Sequence, residues 1–379
     1  MIYLDNSATS FPKPKSVVDA VNYALLNYGN YGRSSYKMAI ETTEKVFECR
    51  KKVARFFNAK SSDNVIFTYN CTTAINMAIK GLAKKGSHFI ISDLEHNAVL
   101  RPLETLKMQG FCDYSIAKIE TDVYKTLQNF EKCINKNTVS IICTGASNVF
   151  GMITPYRMLG ALAHRYRLKF ILDVAQIAGV KRIDMKKDNI DILCCAGHKG
   201  LYGPSGVGLL VINDDVELMT IIEGGTGSNS MNSLQPGFLP DKFESGTPNI
   251  VGILGLSSAL DFVEKKGVEN IYNHEMQLIN YLYNNLKLNR KITLYTDLSD
   301  CRKSYVPILA LNIKNMASDK VVELLSEQDI CVRGGLQCAP LAHRKLNTEK
   351  TGVVRLSPSI FTKKIQIDFT INSLIKIAK

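Results

Sequence analysis

Residues 169–200 read KFILDVAQIAGVKRIDMKKDNIDILCCAGHKG. This stretch contains two short apolar runs, KFILD (169–173) and DILCCA (191–196), of the kind found in strands that are buried on both faces of a parallel sheet. The first run ends in Asp173, and Lys199 comes shortly after the second. The stretch therefore predicts two strands with reactive side chains at their carboxyl ends.

The same alternation of short apolar runs and helical segments extends from about residue 65 to residue 212. The further strand candidates are VIFTY (65–69), HFIIS (88–92), VSIICTG (139–145) and VGLLVIN (207–213). Segments such as TTAINMAIKGLAKK and PYRMLGALAHRYR lie between them and have helical length and composition. This alternation predicts an α/β fold, with a mostly parallel sheet covered by helices on both faces.

A different pattern follows the Gly/Ser/Asn-rich passage at 224–238. Apolar residues at helical spacing predict an amphipathic helix over about 268–288, and another helix is predicted over 318–327 with Ser318 as its cap. The part of the chain after this passage is therefore predicted to form a second, smaller α+β domain.

Length and composition indicate an ordinary globular protein. The chain has 379 residues, 45% of them hydrophobic, and no stretch approaches the roughly 20 apolar residues that span a bilayer. Its first residues, MIYLDNSATS, lack the features of a targeting signal, so we expect no membrane association and a cytoplasmic location. The ten cysteines show no CxxC spacing, which predicts reduced, mostly packed thiols and no metal site.

The formal net charge of +12 is compatible with a nucleic-acid partner. However, the Lys and Arg residues are spread along the chain in short clusters such as Lys84-Lys85 and Lys186-Lys187. This distribution is typical of solvated surface charge, so we predict no nucleic-acid binding. A basic surface equally suits an acidic partner or a phosphorylated, carboxylated ligand.

Polar residues follow several predicted strands at the point where each strand ends. They are Asn70 to Thr73, Glu95 and His96, Ser147 and Asn148, Asp173 and Gln176, and His198 and Lys199. In an open α/β sheet these positions meet along one edge, where ligands bind. Taken singly, each residue has an ordinary explanation as a helix cap, a loop residue or a surface charge.

Taken together, these side chains supply every group that pyridoxal 5'-phosphate (PLP) requires. Lys199 offers an amine for a Schiff base, Asp173 a carboxylate for the ring nitrogen, and His96 a flat ring for stacking. Phosphate donors are available at the helix N-terminus that follows Asn70. Neither GxxxxGK(S/T) nor GxGxxG is present to indicate a nucleotide site. The sequence therefore predicts PLP as the cofactor.

With these residues in order, the sequence resembles the class V aminotransferase family, and within it the cysteine desulfurase and selenocysteine lyase branch. The matching motifs are YLDNSAT (3–9), NCTTAIN (70–76), LEHNAV (94–99), SNVFG (147–151), DVAQ (173–176), AGHKGLYGPSG (196–206), FESGTPN (243–249), RGGLQCAP (333–340) and VRLSPS (354–359). The resemblance implies the PLP-dependent fold type I, like that of aspartate aminotransferase. It also implies a homodimer, with a large PLP-binding domain over 16–262 and a small domain formed by 1–15 and 263–379.

The resemblance also implies roles around the cofactor ring. Lys199 would attach the cofactor covalently, and Asp173 would pair with the pyridine nitrogen. Gln176 and Asn148 would form hydrogen bonds near the ring hydroxyl. His96 would stack on the ring and assist proton transfer.

A second set of roles concerns the cofactor phosphate. Thr72 and Thr73 lie at the predicted helix N-terminus, and the resemblance implies that Thr73 contacts the phosphate. His198 would bind the phosphate beside Lys199. Thr247 would reach the phosphate bound to the partner subunit.

The remaining implied roles concern the substrate. Arg355 would hold the α-carboxylate of L-cysteine or L-selenocysteine, as a planar guanidinium does well, with Arg333 and Asn148 as further contacts. The thiolate of Cys338, favoured by the charge of Arg333, would accept the substrate sulfur as a persulfide and L-alanine would leave. A protein that accepts the sulfur or selenium is a further expected partner.

Two residues depart from the family pattern. Ala196 stands where many relatives have serine, which removes one phosphate hydroxyl, and Gln337 stands where many have a histidine next to the cysteine. Gln337 cannot shuttle a proton near neutral pH. His343 could substitute for that histidine, although we expect it to be a solvent-facing loop residue.

Other functions fit parts of the same pattern. The short Arg333–Cys338 loop resembles the group II enzymes, in which both chalcogens are used, so selenocysteine lyase activity stays open. Another class V lyase or aminotransferase would use Lys199 and Asp173 but give Cys338 no task. A catalytically silent scaffold or a basic binding module is the remaining alternative, and neither has a physical need for the whole lysine, aspartate, histidine and glutamine set.

Overall fold

The computed structural model describes residues 1–32, 34–300 and 303–379. The strands in chain order are β1 (Ile2–Tyr3), β2 (Val65–Thr68), β3 (Ser87–Ser92), β4 (Cys112–Ala117), β5 (Thr138–Thr144), β6 (Lys169–Asp173), β7 (Ile192–Ala196), β8 (Gly208–Ile212), β9 (Ile292–Leu294), β10 (Leu309–Ile313), β11 (Ile330–Cys331) and β12 (Val354–Leu356). The helices are α1 (Lys15–Asn27), α2 (Lys37–Phe57), α3 (Cys71–Leu82), α4 (Asn97–Met108), α5 (Val123–Cys133), α6 (Tyr156–Arg165), α7 (Ile250–Lys266), α8 (Val268–Leu286), α9 (Ser318–Ser326), α10 (Pro340–Leu346) and α11 (Lys364–Ile377). Within these ranges, no helix combines the length and the apolar character that crossing a membrane requires.

The large sheet has seven strands in the order β2-β8-β7-β6-β5-β3-β4. Strands β7, β6, β5, β3 and β4 are joined by parallel pairings, whereas β8 is antiparallel to both of its neighbours, β7 and β2. It follows that β2 points in the same direction as β7, and that β8 alone is reversed. The prediction of a mostly parallel α/β sheet is confirmed, and the carboxyl ends of β2, β3, β5, β6 and β7 share one edge.

Burial on both faces explains why these strands read as continuous apolar runs. Along β6, Phe170 and Leu172 pack into one hydrophobic cluster, while Ile171 packs into the cluster on the opposite face. Successive side chains of a strand point to opposite faces, so a strand covered by helices on both sides needs apolar residues at every position. The helices that cover the sheet include α3 and α6, as predicted.

A smaller assembly of strands and helices follows the large sheet. Strands β12, β10 and β9 form an antiparallel sheet, and α8, α9 and α11 contribute residues to the hydrophobic cluster beside it. The N-terminal strand β1 pairs in parallel with β11, which brings the first residues of the chain to this part of the molecule. The division into a domain of residues 16–262 and a second domain of residues 1–15 and 263–379 stays our proposal.

Two features differ from the sequence prediction. The prediction that Ser318 caps its helix was wrong: α9 begins at Ser318 after Ala317, and the Ser318 hydroxyl donates to the Thr351 carbonyl at 2.8 Å instead. Strand β4 was not predicted, because it lies at the edge of the sheet and includes exposed positions, so its sequence lacks a continuous apolar run.

Candidate active site

The shared edge of the sheet brings most of the predicted site residues to one cavity. The cavity is lined by Thr72, His96, Asn148, Asp173, Gln176, His198 and Lys199, among others. Each side chain lies at or just beyond the carboxyl end of β2, β3, β5, β6 or β7. Because these strands all point the same way, residues far apart in the sequence become neighbours there.

Lys199 follows β7 in a tight turn that packs closely against the loop after β6. A Cβ atom on Gly200 would lie 2.4 Å from the Ala178 carbonyl oxygen, so only glycine fits at that position. Burial lowers the pKa of the Lys199 amine, and the neighbouring Asp173 carboxylate opposes this shift. The amine is therefore biased toward its neutral, nucleophilic form while it keeps a carboxylate nearby.

Asp173 is the last residue of β6 and is only 4% exposed. Its Oδ1 accepts a hydrogen bond from the Ala175 amide at 2.9 Å and another from the Cys71 thiol at 3.5 Å. Both contacts orient the carboxylate and use the same oxygen, so Oδ2 is the oxygen left for a ligand. The sequence predicts no role for Cys71, although its place in the NCTTAIN motif indicates that it lies near the site.

His96 occupies the N-cap position of α4, and its Nδ1 accepts a hydrogen bond from the Ala98 amide at 3.0 Å. Burial lowers the pKa of His96, which favours the neutral ring. Since Nδ1 is an acceptor, the proton of the neutral ring lies on Nε2. The cap thus fixes both the orientation and the tautomer of the ring that lines the cavity.

Glu95 lies directly before His96, and the sequence predicts no specific role for it. It is fully buried, and its Oε1 accepts hydrogen bonds from the Thr144 amide at 2.8 Å and from the Ser92 hydroxyl. Burial raises the pKa of Glu95 to about 8. The carboxyl group therefore ties the end of β3 to the end of β5, and so supports the turn that carries His96.

The N-terminus of α3 separates the two candidate threonines. Asn70 caps this helix, and its Oδ1 accepts hydrogen bonds from the amide and the hydroxyl of Thr73 at 2.9 and 3.2 Å. Thr72 lines the cavity with Lys199, whereas Thr73 lines a neighbouring cavity. In this chain, Thr72 and the amides of the first helical turn that are not capped by Asn70 are therefore the groups available to an anion in the Lys199 cavity.

His198 provides an unused polar atom beside this helix end. Burial lowers its pKa to about 4, so the ring is neutral at ordinary pH. Its Nδ1 is buried and has no hydrogen-bond partner within the described residues. A buried ring nitrogen without a partner is costly, and a phosphate oxygen would satisfy it. Ala196 also lines the cavity and, as predicted, offers no hydroxyl.

Gln176 and Asn148 are both held by backbone contacts. The Gln176 Nε2 donates to the Ser7 carbonyl at 3.1 Å, which leaves its Oε1 as an acceptor. The Asn148 Nδ2 donates to the Gln337 carbonyl at 2.6 Å, so Asn148 links the cavity to the loop that carries Cys338. Sequence reasoning did not predict either contact, since both join segments distant in the chain.

Arg355 lies in β12, next to the cavity but not on its lining, and is 3% exposed. Its Nη2 pairs with Asp5 at 2.7 Å, and its Nη1 donates to the Asn148 carbonyl at 2.9 Å. Within the described residues its buried Nε has no partner. Arg333 is exposed and forms an isolated antiparallel bridge with Arg355 through the backbone. The structure thus brings Arg355 close to Asn148, and it adds Asp5 as a partner that the sequence did not indicate.

Cys338 lies on the bend between β11 and α10. Among the described cysteines it alone is exposed. Its carbonyl accepts a hydrogen bond at 2.8 Å from the amide of Asn97, the residue after His96. The thiol is therefore accessible and lies on a segment attached to the wall of the cavity.

The prediction that His343 is a solvent-facing loop residue was wrong. His343 lies in α10 and is completely buried. Its Nε2 contacts the Gln337 Oε1 at 3.1 Å, and its Nδ1 contacts the Thr348 hydroxyl at 2.8 Å. The two residues that follow it, Arg344 and Lys345, are charged, but α10 turns its histidine inward.

Thr247 is exposed, and it does not line the cavity that contains Lys199. Its neighbours Gly246 and Pro248 line the second cavity together with Thr73. Within the part of the chain that the structure describes, no contact joins Thr247 to Lys199, so its implied role toward a partner subunit stays a prediction.

Comparison with known proteins gives a consistent result across the whole chain. The family model described as Aminotransferase class-V matches residues 2–369. A probable cysteine desulfurase of Borreliella burgdorferi is 32% identical, with 100% of this chain and 92% of that protein covered. A probable cysteine desulfurase of Methanothermobacter thermautotrophicus is also 32% identical, with coverage of 100% and 94%.

Solved structures agree with these relatives. The apo structure of a cysteine desulfurase from Thermococcus onnurineus NA1 is similar with a TM-score of 0.91 and 28% identity, and covers 100% of this chain and 94% of that one. A cysteine desulfurase from Escherichia coli gives a TM-score of 0.88 and 25% identity, with coverage of 99% and 94%. The predicted fold class is thereby confirmed at the level of the whole chain.

Proposed function

We propose that this chain, which belongs to the class V aminotransferase family, is a PLP-dependent cysteine desulfurase that converts L-cysteine to L-alanine and passes the sulfur to Cys338. The observation that carries the proposal is the attachment of the Cys338 bend to the cavity of Lys199 and Asp173. The names of the relatives support the same reaction. An aminotransferase would need Lys199 and Asp173 but would have no use for an accessible thiol at that place.

The residues of the cavity suit PLP in several respects. The buried His198 Nδ1, which has no partner among the described residues, would hold the phosphate together with Thr72 and the first amides of α3, while Lys199 would hold the aldehyde carbon covalently. The free Oδ2 of Asp173 would keep the pyridine nitrogen protonated. When bound, PLP supplies an electron sink for the pair of electrons left at Cα of the substrate.

Substrate binding would rest on Arg355 and its neighbours. Arg355 is already oriented by Asp5 and by the Asn148 carbonyl, so little side-chain entropy is lost when its remaining donors meet a carboxylate. The neutral Lys199 amine would then take the proton from Cα of the bound cysteine and hold it for return. His96, with its proton on Nε2, would stack on the cofactor ring and assist proton transfer.

The sulfur transfer itself would be carried out by Cys338. Its thiolate attacks the substrate Sγ, a sulfur–sulfur bond forms, and the Cβ–Sγ bond breaks with its electron pair left on carbon. Protonation of that carbon completes L-alanine, and the enzyme keeps one persulfide. Cysteine and the Cys338 thiol together thus give alanine and the persulfide, with no external oxidant or reductant.

A homodimer and a sulfur-acceptor protein complete the proposal. Support for the dimer comes from the exposed Thr247, whose neighbours line a cavity next to α3. Support for an acceptor comes from the exposure of Cys338, since a persulfide formed there is open to attack by another thiol. The mass of the PLP-loaded protein in solution tests the dimer directly.

The assay that tests the function uses the purified chain loaded with PLP. We expect a yellow protein that is bleached by borohydride and that forms alanine and sulfide in equal amounts from L-cysteine in the presence of a reducing thiol. A protein that takes up PLP but forms no alanine from cysteine would contradict the desulfurase proposal. A protein that stays colourless after incubation with PLP would contradict the cofactor as well.

A variant at the proposed carboxylate site gives a more specific expectation. Arg355→Lys keeps the positive charge opposite Asp5 but loses the planar, two-pronged donor set. Hydrogen bonds to charged groups contribute about 1.5–3 kcal/mol, so we expect KM for cysteine to rise about 10- to 100-fold. Arg165→Lys, at an exposed arginine that pairs with Glu131 outside the cavity, serves as the matched control, with a change in KM of less than about threefold. Equal effects of the two variants on KM would contradict the assignment.

A further inference from the structure

The bend at Cys338 has an unusual backbone conformation. Gln337 and Cys338 both have positive φ values, 41° and 58°. Residues with a Cβ atom rarely adopt this left-handed region, and two in succession persist only where surrounding contacts enforce them. The contacts that hold this bend therefore determine where the Cys338 thiol points.

A buried network lies directly behind the bend, and its hydrogen-bond directions can be assigned. The Gln337 Nε2 donates to the Val353 carbonyl at 3.0 Å, so the Gln337 Oε1 faces the His343 Nε2 at 3.1 Å. Because Oε1 only accepts, the His343 Nε2 carries the ring proton. The Nδ1 of the neutral ring then accepts from the Thr348 hydroxyl at 2.8 Å. Every polar atom of the Gln337 side chain and the His343 ring is satisfied.

The front of the bend is attached to the cavity by two further hydrogen bonds. The Gln337 carbonyl accepts from the Asn148 Nδ2 at 2.6 Å, and the Cys338 carbonyl accepts from the Asn97 amide at 2.8 Å. The two residues are thus held from the cavity side through their backbone, and from the interior through the Gln337 side chain. Only the Cys338 side chain is left exposed.

We propose that Gln337, His343 and Thr348 form a positioning network that holds Cys338 in its left-handed conformation for attack on the substrate sulfur. The inference rests on the proposed desulfurase function and deepens it. His343 exchanges no proton with the substrate, because it is fully buried and both ring nitrogens are engaged. Gln337 likewise acts through its fixed amide, so these residues orient the nucleophile and do not relay protons.

A second buried histidine, His88, provides a control that distinguishes positioning of the Cys338 bend from general support of the hydrophobic core. His88 is 6% exposed and contacts the hydroxyls of Thr138 and Ser115 through its two ring nitrogens. It lies near the start of β3, whereas the cavity is at the other end of that strand. His88→Leu and His343→Leu therefore remove comparable buried rings, and only the second removes a support of the bend.

The test compares these variants in the full-length, PLP-loaded protein. One measurement is the single-turnover rate of persulfide formation on Cys338 after cysteine is added, and another is amide hydrogen exchange over residues 334–340. For His343→Leu we expect a persulfide rate at least about 10-fold lower and exchange at least about 10-fold faster than in the wild type. The change in cofactor absorption on cysteine binding should persist, since it does not need Cys338. His88→Leu should leave both rates within about twofold.

Variants at Thr348 keep the inference testable if His343→Leu does not fold. Thr348→Ser retains the hydroxyl and should keep the persulfide rate and the exchange rate at their wild-type values. Thr348→Val loses the hydroxyl and should show the slower persulfide formation and the faster exchange predicted for His343→Leu. Wild-type rates in His343→Leu, or identical behaviour of Thr348→Ser and Thr348→Val, would overturn the proposal. If the wild type forms no persulfide at all, the desulfurase function fails instead, and the exchange rates alone decide whether the network holds the bend.

Discussion

Replacement of Lys199 by alanine is expected to lower alanine formation from cysteine by about 10³-fold or more. The variant loses both the amine that attaches the cofactor and the base that moves the Cα proton, and acid–base catalysis alone contributes about 10²- to 10⁴-fold. Borohydride treatment should leave no cofactor covalently bound to the variant. Both measurements use the purified protein, PLP, cysteine and borohydride.

A suitable control is Lys181→Ala. Burial also lowers the pKa of Lys181, but this lysine lies over the ring of Tyr272, outside the cavity of Lys199. We expect Lys181→Ala to retain wild-type turnover and covalent cofactor. Substantial activity in Lys199→Ala, or equal losses in both variants, would show that the special role of Lys199 has been misassigned.

Replacement of Cys338 by alanine is the second large effect, and it should depend on the substrate. Turnover of L-cysteine should fall by at least about 10³-fold, because a thiol added at millimolar concentration cannot match a positioned nucleophile with an effective molarity of about 10⁵ M or more. Turnover of L-selenocysteine should be largely spared, since the C–Se bond is weaker and the selenol is already ionised. Alanine formed from each substrate is the quantity to measure.

Cys133→Ala is the matched control for this experiment, because Cys133 is half-buried and lies at the end of α5, outside the cavity. It should behave as the wild type with both substrates. An equal loss in Cys338→Ala on cysteine and selenocysteine, or no loss on either, would contradict the role of Cys338 as sulfur acceptor. Equal rates on the two substrates in the wild type would not affect this conclusion.

Much of the cavity could be predicted from the sequence because of a simple geometric rule. Once the apolar runs were recognised as parallel strands, the residues that follow them had to meet at one edge, and His96, Asp173 and Lys199 do so. The rule fails for side-chain direction within a helical turn. Thr72 and Thr73 are adjacent in the sequence, yet they line different cavities. The Thr73 hydroxyl donates to the Asn70 side chain, whereas Thr72 lines the cavity that contains Lys199.

Contacts between distant segments could not be predicted in the same way. The pairing of Asp5 with Arg355 and the bond between Asn148 and Gln337 depend on how the smaller assembly packs against the large sheet. No local pattern encodes that packing. The burial of His343 was missed for a related reason, since a seven-residue helix such as α10 is too short for its apolar spacing to indicate an inner face.

The pairing of Asp5 with Arg355 also bears on how the protein is made. The two residues are separated by 350 positions, and β1 has its partner only once β11 has been synthesised. A nascent chain on the ribosome can therefore assemble the Lys199 cavity once β8 has joined β2 to the large sheet, well before Arg355 has been synthesised. We expect the Arg355 side of the cavity to form last, after an interval in which β1 stays unpaired.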